Sequence, residues 1–234
     1  MHGKIGVIFT IVLYLTVINA AVCTVGESAW KDEYYAKYDF KSFLNLAVSN
    51  QRIDMTEIDY PLLNAAIFYE TNKERAKAGL PVFGHSEGLE QAAQNHSTDM
   101  VKFGFFSHTS PVKGKETPAK RIALTGVHGS TSGENIAETF GIEYEPGKSI
   151  FPPDKNGGFF SYSYKGKPIL NQTYIGFAET IVKQWMESPG HRANILLTNF
   201  KYLGTGAAHF SNKAFYNIDE FRCTQNFSDT KGGS

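Results

Sequence analysis

Four stretches of this 234-residue chain carry side chains suited to chemistry. Gly84-His85-Ser86-Glu87-Gly88 satisfies Gly-x-Ser-x-Gly, the turn that presents a nucleophilic serine in α/β-hydrolases. That turn needs several strand-helix units ahead of it to build a parallel sheet, whereas residues 24–83 offer an arm and one helix, and Pro81 interrupts the preceding strand. Ser86 therefore reads as a helix N-cap. Ser107 beside His108, with Glu134 as orienter, is a second hydrolytic arrangement, and a weak one because adjacent residues rarely face each other productively. His96 shares an apolar helix face with Leu89, Ala93, Met100 and Phe103, which favours a packed core histidine over a ligand. His191 follows Ser188-Pro189-Gly190 at a helix end, so its imidazole projects from a stiff corner. His108, Glu134 and His191 have no local metal-ligand spacing, and spacing alone makes no site of them.

The elements that must position these groups can be placed from periodicity. Phe177, Ala178, Ile181, Val182 and Trp185 recur at steps of three and four, one buried helix face that stops at Ser188. Ser188 can cap a further short helix with Pro189 at its first position. Pro61 starts a helix carrying Leu62, Leu63, Ala66 and Ile67, closed by Gly79-Leu80-Pro81. A second helix runs from the Ser86 cap to Gly104, and Thr117-Pro118 opens a short third one ending at Leu124. Residues 126–133 read as a loop that delivers Glu134, and 143–173, with Pro146, Pro152 and Pro153 and four aromatic residues from Phe159 to Tyr164, as an irregular excursion. Tyr202 to Phe210, Ala214 to Ile218 and Phe221 to Phe227 are expected as antiparallel strands, with a tight turn at Ser211-Asn212-Lys213. Helices gathered early and strands late imply an α+β domain.

Gly190-His191-Arg192-Ala193-Asn194-Ile195-Leu196, followed by Tyr202-Leu203-Gly204-Thr205-Gly206, resembles a signature of the CAP superfamily, also called the SCP domain. Phe105-Phe106-Ser107-His108-Thr109-Ser110-Pro111 and Gly133-Glu134-Asn135-Ile136-Ala137 resemble its bacterial-type version, in the expected order, and the likeness covers about Leu62 to Phe227. It implies a three-layer α-β-α sandwich around a central antiparallel sheet. It also implies that His108, Glu134 and His191 meet in one cleft that binds a divalent metal, which two imidazoles and a carboxylate would make zinc, with a coordination position left open. Many members add a glutamate three residues after the tryptophan. Here Glu187 stands one place early after Trp185, and one residue turns a helical side chain by about 100°, which aims Glu187 away from the cleft. The family associations favour a binding module with an open groove for a lipid-like molecule or a protein. An extracellular metal-assisted hydrolase is the alternative.

Composition bounds the rest. Lys plus Arg equal Asp plus Glu at 23 each, so no electrostatic footprint for nucleic acid exists. Residues 1–23 read as an export signal, with a run from Ile5 to Ala21 too short for a comfortable membrane span. Residues 24–59 are expected as a linker or surface arm, 60–228 as the domain and 229–234 as a flexible tail. The mature chain is expected to be a secreted or extracytoplasmic monomer. With two cysteines no disulfide framework holds the fold, and Cys23 is open to removal with the leader, lipidation as a surface anchor, or a bridge to Cys223.

Overall fold

The structure is a computed structural model that describes residues 28–233. The export signal and Cys23 lie outside the described residues. Helices α1 (Tyr34–Lys37) and α2 (Phe40–Leu44) precede α3 (Tyr60–Lys77), the two-residue β1 (Gly84–His85), α4 (Glu87–Phe103) and α5 (Pro118–Ala123). Then come β2 (Ser132–Phe140), α6 (Tyr174–Glu187), α7 (Pro189–Leu196), β3 (Tyr202–Asn212) and β4 (Ile218–Ser228). The sheet order is β1-β3-β4-β2, antiparallel except for the short parallel pair β1 with β3. Helices α3 and α6 pack together on one side of the sheet and α4 lies along β3 and β4 on the other, which gives the expected α+β sandwich.

Local chemistry explains how tightly the layers meet. A Cβ at Gly204 or Gly206 would fall onto the backbone of Glu90 or Gln94, so only glycine on β3 lets α4 sit directly on the strand. Helix α4 begins at Ser86, whose hydroxyl accepts from Leu89 N (3.3 Å), and ends at Gly104 in the left-handed region. Helix α3 begins at Asp59, which accepts from Leu62 N (3.0 Å), with Pro61 in its first turn. Its Leu62 to Tyr69 segment is buried on every side. Residues 28–59 account for the outer face: Trp30, Phe43 and Ile53 are core residues, and Phe43 stacks on Tyr69 with ring centres 4.6 Å apart. The arm supplies core aromatics as well as surface.

Two expectations about strands are corrected. The stretch containing Gly133 and Glu134 is not a loop end but the start of β2, paired along its whole length with β4. Its alternation is masked because Glu134 and Asn135 are buried and satisfied by partners distant in sequence. After residue 201 there are two long strands rather than three short runs. They join through a single 3-10 turn at Lys213–Phe215, with Tyr216 and Asn217 at φ of 52° and 56° closing the reversal. The excursion 143–173 is irregular as expected, and its Phe160 joins Ile142 and Ile218 in a satellite core.

Candidate functional site

Helix α6 buries Phe177, Ile181 and Trp185, and the chain turns at Ser188 into α7, with Pro189 at the start. Ser188 stands at the N-cap, but its side chain makes no capping bond, so Pro189 and packing hold the corner without it. Ile195 anchors α7 in the core, and the buried Arg75 donates to Ile195 O (2.7 Å) and Leu197 O (3.0 Å), closing the carbonyls at the helix end. Asn194 Nδ2 donates to Asn135 Oδ1 (2.8 Å), and Asn135 Nδ2 donates to His191 O (3.1 Å) and Gln225 Oε1 (3.0 Å). This amide chain fixes the His191 backbone to β2.

Glu134 lies at the centre. Its side chain is wholly buried, and Arg121 Nη2 donates to both carboxylate oxygens, at 2.9 and 2.7 Å. Arg121 is itself buried on α5 and also donates to His108 O (3.0 Å) and Lys115 O (2.9 Å), which pins the intervening loop. His108 Nδ1 donates to Glu134 Oε1 at 2.8 Å while the ring is 49% exposed. With its amide oriented to satisfy both neighbours, Asn226 donates to Glu134 Oε2 at 3.3 Å. His96, the packed histidine of α4, comes within 3.8 Å of Glu134 Oε1 and bonds Ser107 O through Nε2 (3.2 Å). The core reading of His96 holds, with a correction: a carboxylate does stand beside it. Burial, assisted by the Arg121 charge, outweighs Glu134 and pushes its pKa down to about 4.

His191 is half-buried, and its pKa lies below the ordinary imidazole value because of burial and then the charge of His108. Asn194 Nδ2 also reaches Glu134 O (3.4 Å), so the α7 corner that carries His191 is tied to β2 at Glu134 and Asn135. His108 and Glu134 thus touch, and His191 stands near them. Glu187, as its displacement predicts, is turned out: its nearest cation is Lys183 at 3.8 Å, and both side chains are largely in solvent. Ser86 is buried, donating to Lys231 O (2.6 Å) while it caps α4, and so offers no free nucleophile. Ser107 Oγ accepts from Thr109 N (3.1 Å).

As three direct ligands the trio does not fit a zinc centre. Among the described residues no group of three His, Cys, Asp or Glu side chains is arranged to hold a metal. Both oxygens of Glu134 are committed to Arg121 and His108, and a guanidinium in that position already supplies the positive charge a metal would bring. What remains is a pair of imidazoles backed by a carboxylate. Sequence reasoning missed Arg121, Asn135 and Asn194. The only signal available was that a glutamate on a buried strand requires a cation, which does not say which of 23 lysines and arginines supplies it.

Comparison with known proteins identifies the family. The chain is 32% identical over 136 residues to the uncharacterized protein YkwD of Bacillus subtilis (strain 168), a match spanning 58% of this chain and 38% of that relative. Among solved structures, an extracellular protein containing a SCP domain from Bacillus anthracis str. Ames is 26% identical, with a TM-score of 0.48, over 74% of this chain and 42% of its own. An outer surface protein from Borrelia burgdorferi is 17% identical, with a TM-score of 0.46, over 79% of this chain and 99% of its own. The chain therefore spans well under half the length of the first two. The model of the cysteine-rich secretory protein family, CAP, matches residues 68–227, from the middle of α3 to the end of β4 and through every residue of the cleft, so this chain belongs to the CAP family.

Proposed function

We propose that the protein is an extracytoplasmic binding module whose cleft, with His108 and His191 at its mouth, receives a protein or lipid-like ligand. The observation that carries this reading is the state of His108. A buried, charge-compensated carboxylate locks Nδ1, while the rest of the ring is held open to solvent with Nε2 free to meet a ligand. Exposed Phe103 and Phe106 stand on the same loop and α4 end, giving an apolar rim suited to such a ligand. No helix among the described residues is long and apolar enough to cross a membrane. Export rests on the leader-like residues 1–23.

Replacing Phe106 with a photo-crosslinking residue and irradiating producing cells tests the reading. Adducts that disappear with His191→Ala support it, and adducts indifferent to both His108→Ala and His191→Ala overturn it. A second reading, a divalent cation such as zinc at the imidazoles, is favoured by the carboxylate behind His108, which holds Nδ1 and leaves Nε2 of the half-exposed ring to coordinate. Imidazole binds metal only when neutral, so zinc would leave as the pH is taken from about 7.5 to about 5. Calorimetric titration with zinc in wild type, His108→Ala and His191→Ala decides it: equal affinity in all three removes the metal from the cleft, and ester hydrolysis lost with the histidines would revive the hydrolase.

A further inference from the structure

A second opening lies away from that cleft. It is a cavity of about 530 Å³ lined on one side by α6, through Thr180, Lys183 and Glu187, and on the other by the end of β2 and the first residues of the excursion, through Phe140, Ile142 and Tyr144. None of His108, Glu134 and His191 lines it. The volume falls in the range of small-molecule sites. Phe140 and Tyr144 meet edge to face, ring centres 5.5 Å apart, so one wall is aromatic.

The charges of the lining are unequal in their partners. Glu138 is paired with Arg222 Nε at 2.7 Å, and Glu187 has Lys183 at 3.8 Å. Glu220 on β4 differs. It sits directly opposite Phe140 in the β2–β4 register, hence on the same face of the sheet, and accepts only from the Asn212 amide (2.8 Å). Among the described residues no cation pairs with it. Arg222, two residues along β4 on the same face, is engaged by Glu138 and by the Met100 and Phe105 carbonyls, so the cavity sets an aromatic wall beside a half-open carboxylate with no cation in ion-pair contact.

We infer that this cavity binds an organic cation with an apolar body, such as a primary amine carrying a ring, with Glu220 taking the ammonium and Phe140 and Tyr144 packing against the body. A carboxylate accepting from an ammonium makes a charge-assisted bond, and the aromatic faces favour the same sign of charge. An anion would meet Glu220, Glu187 and Glu138 with one lysine among them, and a neutral molecule of equal shape would leave Glu220 uncompensated. The site also depends on the excursion, since Tyr144 and Pro146 belong to it and Ile142 immediately precedes it.

The test uses three probes of one shape, 2-phenylethylamine, 2-phenylethanol and phenylacetate, titrated into the intact protein at neutral pH and followed by heteronuclear NMR. The amine should shift the signals of Phe140, Tyr144 and Thr180 and bind about 5-fold or more tighter than the alcohol, with phenylacetate weakest. Glu220→Gln keeps the Asn212 bond and the shape, and should weaken the amine about 5- to 10-fold while leaving the alcohol unchanged. Should that variant fold poorly, raising the salt on wild type serves instead, because only the amine's affinity should fall. Equal binding of amine and alcohol, amine affinity untouched by both Glu220→Gln and salt, or shifts confined to other residues would each overturn the inference.

Discussion

Two carboxylates on one sheet are treated in opposite ways. Glu134 on β2 is wholly buried and surrounded by Arg121, His108 and Asn226, with His96 at 3.8 Å. Glu220 on β4 is half-buried, holds one amide bond and faces a cavity. A charge withdrawn from water must be compensated from within the fold, so the Glu134 cluster is a lock that orients His108. A charge left at an opening keeps part of its bonding capacity for a solute. Buried Glu134, the carboxylate the sequence motif draws attention to, is therefore mainly structural, and the half-open Glu220 is the one left to meet a solute.

The largest effect is expected at Arg121. Arg121→Ala leaves the Glu134 charge buried without its cation and should destabilise the protein by about 3–5 kcal/mol, measured by denaturant unfolding. Adding Glu134→Gln should recover part of that loss, because an amide has no charge to strand. If Arg121→Ala costs less than about 1 kcal/mol, water reaches the carboxylate and the cluster is not closed.

The next largest effect is on the pH dependence of stability. The folded-state pKa of His96 is about 4, below the unfolded value of about 6.5, so between those values the unfolded chain binds a proton that the folded one refuses. Its contribution is complete above pH 6.5 and is lost as the pH falls toward 4, by about 3 kcal/mol at most. His96→Gln, which keeps an Nε donor near Ser107 O, should flatten the stability profile in that window relative to wild type. Parallel profiles would show that the imidazole is already hydrated in the folded state.

How much of this was legible follows from where each signal resides. Helices α3, α4 and α6 were readable because end signals and apolar steps lie within a few positions of each other: Pro61 with Leu62 and Leu63, Ser86 and Gly104, Phe177 to Trp185. The family motifs pointed to His108, Glu134 and His191, of which His108 and Glu134 are in direct contact, and Glu187, one place early in the motif, lies exposed beside Lys183. Strand β2 was hidden because burying Glu134 and Asn135 depends on Arg121, Gln225 and Asn194, none of which is a sequence neighbour on the strand. The same separation hid the saturation of Glu134. The arm's aromatic residues were visible, but their burial on Tyr69 is a tertiary fact that no local period announces.

A smaller effect extends the comparison to a neutral group. Ser86 is buried with its hydroxyl both accepting from Leu89 N and donating to Lys231 O, as closed in its way as Glu134. Losing a capping hydroxyl strands dipoles instead of a charge, so Ser86→Ala should cost about 0.5–2 kcal/mol and leave any ester hydrolysis unchanged. Loss of such activity with the melting temperature intact would restore Ser86 as a nucleophile.

The smallest effect is expected at Glu187. It is the last residue of α6, where the helix dipole disfavours an anion, and its one cation, Lys183, lies on the N-terminal side, the weaker order for a pair four residues apart. Both side chains are mostly solvated, which screens what attraction remains. Glu187→Ala should therefore change stability by less than about 0.5 kcal/mol, and alanine's helix propensity could tip the sign toward stabilisation. It should also leave zinc affinity at the His108 cleft unaltered, because the side chain is turned toward Lys183. Its effect on 2-phenylethylamine at the other cavity should stay below about 2-fold, since Lys183 already offsets its charge there while nothing offsets Glu220. A Glu187→Ala variant that lost zinc would place this carboxylate in the cleft after all. One that lost the amine as strongly as Glu220→Gln would shift recognition from the sheet to the helix.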